Sequence, residues 1–575
     1  MKTPPSARSF LARRRRLHPR TALPFVLLAT FAMQSFWFIQ TQSMTYDEPA
    51  HIIAGVDAWR HGRFEHWNDH PPLGRLWLTL PIRGWDSQFI WRQMPSGYRI
   101  ESMQPGPEDI ADRTRTMNTL LGLFLGIALW FATRRLFSEG AANVALALFV
   151  FTPSLIAHFS VATTDGIGTL FIFLVAFQLV RWRNQPTWPQ TVLLGLALGG
   201  LLLAKFYAPP LVLLALVLML LLKADGAAVR PSQWNWKPAL AALVLALVTL
   251  WAGYFFHVSH FKLADGQVTA TFPNRGLKTW ATKSRLHLNL VVPAGEFFEG
   301  LRDVAMSNKR GRPAWFFGKV YPAGGIKLYY PAAIVLKWPT VLLALVLAAL
   351  LMGVRKICRA PGDLLVLCSF AVVFLFFAIQ SKYDIGERHI LPLYPFALLI
   401  AGSIWEHVIA LKARIAFEVP TWWGRKSINY NVVILLLVLG LNAADALRAA
   451  PDYLTYFNIL VKPANSWRYL TDSNLDWGQG LISVRLYEFK HPGEPLHLAY
   501  FGSINPALYG VHATPLAPNQ QVTGKVIVGA SALSGQVLPD PNSYRWLLQY
   551  QSKDTLDRSM FVYDVKRFRV NGGPQ

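Results

Sequence analysis

The sequence predicts an α-helical polytopic membrane protein with about eleven transmembrane helices, substantial outer loops and a small C-terminal α/β domain. Three observations carry that prediction. Of the 575 residues, 53% are hydrophobic and only 15% charged, and the mean hydropathy is positive, which is the wrong balance for a string of soluble domains. Leu-, Ala-, Val- and Phe-rich runs recur at close to the roughly twenty residues that span a bilayer, with few or no charges inside them. Lys and Arg gather between the runs, as the preference for basic residues on the cytoplasmic side requires.

The N-terminal segment, residues 1–20, is basic through Arg13 to Arg16 and is expected to stay cytoplasmic. The apolar stretch from about Thr21 to Ile39 is longer than a signal-peptide core and contains Gln34, Trp37 and Phe38, so it reads as a retained span. Residue 42 onward is then outside. Further spans are expected at about 116–136, 140–158, 165–183, 190–207, 209–223, 238–257, 332–354, 364–381, 389–408 and 429–447. The connections predicted inside carry Arg134 and Arg135; Arg181 and Arg183; Lys223, Arg230 and Lys237; Arg355, Lys356 and Arg359; Lys412, Arg414, Arg425 and Lys426. The alternation is therefore coherent. Pro209 and Pro210 leave open one broken helix in place of two.

This organisation gives a transmembrane module over 21–447 with outer loops at 42–115 and 258–331, followed by an outer domain at 448–575. Both loops are rich in Trp, Pro and Gly, which suits short helices lying at the membrane interface. In the tail, runs such as Leu496 to Phe501 and Lys525 to Val528 lie between Pro and Gly turns and predict strands.

A net charge of +24 raises the question of nucleic acid. A nucleic-acid binder concentrates its basic residues on one soluble face, whereas here they flank apolar runs. No nucleic acid is expected, and membrane lipids are the natural partners of such flanks. The two cysteines, Cys358 and Cys368, supply neither a disulfide framework nor a thiolate zinc site. Phosphate-cradling P-loops, dinucleotide-binding glycine patterns and an H-E-x-x-H helix are missing too, which removes support for ATP-driven transport and zinc proteolysis.

The chemistry-bearing residues cluster in the outer connections. Thr45-Tyr46-Asp47-Glu48-Pro49 follows the first span, and ionisable groups at that depth are candidates for function. The alternative is an N-terminal helix cap. Asn68-Asp69-His70-Pro71-Pro72 sets an acid and an imidazole beside a rigid Pro pair, which is also a common turn. Thr163-Thr164-Asp165 opens an outward-facing span, with capping again the plainer reading. Lys382-Tyr383-Asp384-Ile385-Gly386-Glu387-Arg388-His389 is a short outer loop whose Arg suits bidentate phosphate binding. Lys205 and Lys337 stand near outer helix ends, where snorkelling is the commoner explanation. Asp472-Ser473-Asn474-Leu475-Asp476-Trp477-Gly478-Gln479-Gly480 reads equally as a sugar-site lining or a buried turn.

Taken in order over roughly residues 20 to 410, these motifs resemble the membrane glycosyltransferases of the GT-C fold, specifically bacterial relatives of protein O-mannosyltransferases and of the aminoarabinose transferase acting on lipid A (glycosyltransferase family 39-like). The resemblance rests on Tyr46-Asp47-Glu48-Pro49, Asp69-His70-Pro71-Pro72-Leu73, Asp165 and Arg388-His389-Ile390-Leu391-Pro392. It implies a polyprenyl-phosphate sugar donor, hexosyl or pentosyl transfer to an acceptor hydroxyl of a lipid, glycan or protein, and a bacterial inner-membrane location with the site on the periplasmic face. It puts the catalytic acid at Asp47 with Glu48 beside it, and Asp69 and His70 close to the donor phosphate. Placement on the same outer face adds Asp165 to the catalytic acids and Lys382, Arg388 and His389 to the donor-phosphate group, with Asp47 as base and Arg388, helped by Lys382, as clamp. Many relatives carry Lys at the position of His70, and a neutral imidazole binds phosphate less strongly. No cofactor is assigned; the carboxylates leave room for a divalent metal without specifying one. The rival readings are a secondary transporter, whose site belongs near the bilayer midplane, and a non-catalytic envelope assembly protein.

Overall fold

The computed structural model describes residues 19–94, 97–221, 236–264, 267–270, 288–411, 416–421 and 424–567. Arg13 to Arg16, Lys223, Arg230, Lys412 and Arg414 lie outside the described residues. Among the described residues, seven helices are by length and composition able to cross a membrane, with an eighth formed by Tyr329–Lys337 and Thr340–Leu351 if that pair, bent by 108°, is one span. Three shorter apolar helices, Glu139–Val150, Trp188–Ala204 and Ala208–Leu221, fall on three more of the expected runs. The protein is a multi-pass membrane protein, and apolar side chains such as Phe25, Met33, Phe124, Leu240 and Leu436 stand exposed on its helices, where lipid is the fitting solvent.

The first span, α1 (Pro19–Thr41), leads into the loop expected to be outer, which holds α2 (Glu48–His61), α3 (Pro72–Thr79) and the hairpin β1 (Gln88–Met94) and β2 (Gly97–Gln104). Then come α4 (Pro107–Leu136), α5 (Glu139–Val150), α6 (Pro153–His158) and α7 (Asp165–Asn184). In α4, Pro107 in the first turn, Glu108 and Asp109 beside it, and Arg134 and Arg135 in the last turn match the helix's missing donors and its dipole. The spans α8 (Trp188–Ala204), α9 (Ala208–Leu221) and α10 (Trp236–Gly253) follow. The α8–α9 break falls before Pro209 and Pro210, so these are two helices. Gly199 lets α10 press against α8: a Cβ there would sit 2.4 Å from the Cβ of Thr249, and small residues are what allow membrane helices to approach so closely.

The most enclosed span is α7, with 78% of its apolar window buried against 22% for the peripheral helix Tyr430–Ala449. Its Asn184 end meets the cytoplasm-predicted connections, where Arg183 pairs with Asp363 and the Arg359 amide bonds the Leu136 carbonyl. The Asp165 end faces the outer loops.

The second outer loop departs from expectation. It contains the paired strands Val258–Ala264, Gln267–Ala270 and Leu288–Pro293 as well as the helix Gly295–Arg310. The tail forms a five-stranded sheet in the order Thr514–Pro515, Leu496–Ala499, Gly524–Gly529, Met560–Val565, Asp554–Leu556. Its first three strands are parallel and the rest antiparallel. The hairpin is stitched to this domain: the Ile100 amide donates to Ser503 and its carbonyl accepts from Asn505.

Candidate active site

Beyond α1 the chain runs against the tail, with the Ser43 amide donating to the Gln479 carbonyl (2.9 Å) and the Tyr46 amide to that of Trp477 (2.8 Å). Asp47 then occupies the cap position of α2, but its carboxylate makes no capping hydrogen bond. It turns instead to Arg388, 2.9 Å from Asp47 Oδ2 through Nη1. Arg388 lies in the 3-10 turn Glu387–Leu393, and the same Nη1 is 3.5 Å from Asp165 Oδ2. Asp165 opens α7 without capping it, and its other oxygen accepts from Lys205 Nζ at 2.7 Å. The result is an alternating chain, Asp47, Arg388, Asp165, Lys205. Only Asp47 is open to water, its side chain 31% exposed where those of Arg388, Asp165 and Lys205 are 7%, 5% and 9%.

A second group stands beside it. Asp69 Oδ1 is 2.7 Å from Arg75 Nη2 and 3.1 Å from His70 Nδ1, and His51 meets His70 edge to face at 4.8 Å. Burial, then the Lys205 charge, lowers the His70 imidazole below its ordinary range. Burial, then His70, does the same to His51. His70 is therefore neutral near pH 7 and brings a hydrogen bond rather than a charge. His389 follows Arg388 and stacks on Tyr383 at 6.3 Å, with its Nε2 buried and without a hydrogen-bond partner.

Three expectations need revision. Glu48 does not share the open face with Asp47. Its Oε1 accepts from Arg115 Nε and the Ala162 amide, its Oε2 from Arg115 Nη2 and the Thr45 amide, so all four lone-pair positions are taken at a site with no exposure. It is a strut tying α2, α4 and the start of α7 together. Lys382 is exposed and its Nζ bonds the Lys309 carbonyl, apart from the charge chain; Lys205 supplies the second cation there. Lys337 does not snorkel either. It is buried and donates to the carbonyls of Leu454 and Asn474, clasping the tail.

The tail segment was the part sequence reasoning could not assign, and it lines the site as well as forming a buried turn. Arg388 Nε donates to Ser473 Oγ at 3.1 Å, and the guanidinium lies 4.2 Å from the Trp477 ring centroid. Asn474 Oδ1 accepts from the Glu387 amide. Asp476 holds the segment to the tail by accepting from the Ser531 amide at 2.9 Å. Burial raises the carboxyls of Asp472 and Asp476 to about 7, against the pull of Arg388 on the first and of the Ser531 amide on the second. Among the described residues, no group of three or more His, Cys, Asp or Glu is arranged to hold a metal ion.

A bundle of apolar helices with an ionic cluster at one end, roofed by outer loops and a C-terminal domain, defines a class. The family described as dolichyl-phosphate-mannose-protein mannosyltransferase matches residues 111–252. The Saccharomyces cerevisiae protein O-mannosyltransferase Pmt1–Pmt2 complex bound to the sugar donor is similar at 11% identity and TM-score 0.50, over 75% of this chain and 89% of that one. ArnT from Cupriavidus metallidurans bound to undecaprenyl phosphate aligns over 96% of this chain and 99% of that one, at 13% identity and TM-score 0.45. The archaeal oligosaccharyltransferase AglB from Archaeoglobus fulgidus aligns over 89% and 70%, at 11% and 0.44. No curated protein sequence matches the chain. The chain shares its fold, the GT-C fold, with the Pmt1–Pmt2 complex.

Proposed function

We propose that this protein is a glycosyltransferase that moves a hexosyl or pentosyl group from a polyprenyl-phosphate donor to an acceptor hydroxyl at the periplasmic face of a bacterial inner membrane. The observation that supports this most directly is the alternating chain from Asp47 to Lys205, in which two cations are held beside one water-exposed carboxylate. Guanidinium and ammonium suit the donor phosphate, with neutral His70 and the unpartnered Nε2 of His389 adding hydrogen bonds and Asp69 fixing His70. A phosphate competes with Asp47 for Arg388 Nη1. When the donor takes that group, Asp47 is freed to act as general base.

The acceptor oxygen then attacks the anomeric carbon and its proton passes to Asp47. The bond from that carbon to the phosphate oxygen breaks, and its electron pair leaves with the polyprenyl phosphate. Direct displacement inverts the anomeric centre. Because phosphate is a good leaving group, the protein needs chiefly a base, a clamp and alignment. Asp165 and Glu48 serve as positioning residues, the first for Arg388 and Lys205, the second for the backbone that carries Asp47.

The test is to incubate the purified full-length protein with radiolabelled polyprenyl-phosphate sugars and membrane lipid extract. Consumption of one donor, with label appearing on an acceptor, is the expected result; no consumption of any donor would contradict the reading. A periplasmic reporter fused after residue 450 checks the orientation, and cytoplasmic reporter activity would overturn it.

A further inference from the structure

We infer that Trp477 and Ser473 of the C-terminal domain are positioning residues for Arg388, so that this domain completes the donor-phosphate site. The inference rests on the reading of Arg388 as a phosphate clamp. Arg388 meets both carboxylates through Nη1, at 2.9 Å from Asp47 and 3.5 Å from Asp165. Those are the contacts an incoming phosphate displaces. The other two use different parts of the group: Nε donates to Ser473 Oγ at 3.1 Å, and the Trp477 ring lies under the guanidinium at 4.2 Å.

A buried aromatic face attracts a guanidinium without neutralising it. The anchor therefore holds Arg388 in place while its Nη groups change partners. Ser473 Oγ is itself fixed, donating to the Ile385 carbonyl at 2.7 Å. The two segments touch because residue 386 is glycine: a Cβ there would stand 2.0 Å from Ser473 Oγ. Trp477 also reaches the other partner of the ion pair, since its carbonyl accepts from the Tyr46 amide next to Asp47. One tail residue thus sets the guanidinium with its ring and the approach to the carboxylate with its backbone. Asp476 keeps that residue in register through the Ser531 amide and its own carbonyl's bond from Ser531 Oγ.

The test compares full-length wild type with Trp477→Phe, Trp477→Leu and Ser473→Ala, measuring filter binding of radiolabelled polyprenyl phosphate, donor KM and kcat, and unfolding temperature. Trp477→Leu is expected to weaken polyprenyl-phosphate binding and raise donor KM about tenfold, with kcat changed less and Trp477→Phe falling between it and wild type. Ser473→Ala is expected to give a smaller loss of the same kind. A folded Trp477→Leu protein that binds polyprenyl phosphate as wild type does would overturn the proposal, as would Phe and Leu variants equal in their loss, which would point to packing alone. If Trp477→Leu does not fold, unchanged binding by both Trp477→Phe and Ser473→Ala is the overturning result. Wild type that binds polyprenyl phosphate but transfers no sugar would refute the glycosyl-transfer reading while leaving this comparison decisive.

Discussion

At its Asn184 end, α7 contributes Arg183 to a closed ion pair. Nη1 is 3.4 Å from Asp363 Oδ1, Asn184 donates to the other oxygen at 2.7 Å, and both charged side chains are 3% exposed. At its Asp165 end the same helix enters a chain of two carboxylates and two cations, one carboxylate reaching water. There His389 Nε2 and Thr164 Oγ1 are also buried without partners. The first arrangement is complete and unreachable, as a strut should be. The second has unmet hydrogen-bonding capacity beside an accessible acid, and buried polar atoms left unsatisfied are what a ligand completes.

Substitutions at the two ends should therefore behave differently. The largest expected effect is at Asp47: Asp47→Asn removes the base and should lower transfer about 10²–10⁴-fold, measured as donor consumption by protein of wild-type stability. Next comes Glu48→Gln, which leaves Arg115 buried against a neutral amide and should destabilise the protein by about 3–5 kcal/mol. Thermal unfolding in detergent reads this loss, and activity recovers in whatever fraction stays folded. At the opposite end, Asp363→Asn should cost about 1–3 kcal/mol while the turnover of folded protein stays at the wild-type value. A transfer defect there would erase the contrast between the ends.

The smallest effect concerns pH. Burial raises the Asp476 carboxyl to about 7 in the folded protein, whereas an unfolded Asp titrates near 3.9. Between those values the folded state keeps a proton that the unfolded state has lost, so this group's contribution to stability declines as pH rises through the window and levels off above it. Unfolding midpoints taken from pH 4.5 to 7.5 should show a shallower decline in Asp476→Asn than in wild type.

Much of this was readable in the sequence for a simple reason. Apolar runs of bilayer length can be recognised one at a time, and ionisable residues at their ends stand out, which brought Asp47, Asp165 and Arg388 forward. What local pattern could not supply was direction. Asp47 and Glu48 are adjacent, and only Arg115 and Ala162, remote in sequence, make one a strut and leave the other open. Lys205 looked like an ordinary helix-end lysine because its partner Asp165 lies on another span. Lys382 looked like a clamp because the Lys309 carbonyl that holds it belongs to a different loop. Trp477 stands far along the chain from Arg388, so nothing short of the folded tail brings them together. The bend between Tyr329–Lys337 and Thr340–Leu351 falls at Pro339, a helix-breaking signal inside the 332–354 run, whereas the strands of the second outer loop were missed because short apolar segments carry similar periodicity in either state.

The central claim is that Asp47 does chemistry while the groups around it bind and position. A direct measurement is a paired experiment on Asp47→Asn, with donor binding titrated alongside single-turnover transfer. Donor affinity close to wild type together with transfer reduced at least about a hundredfold is the predicted result. Transfer at the wild-type rate, or a loss that follows donor affinity alone, would contradict it.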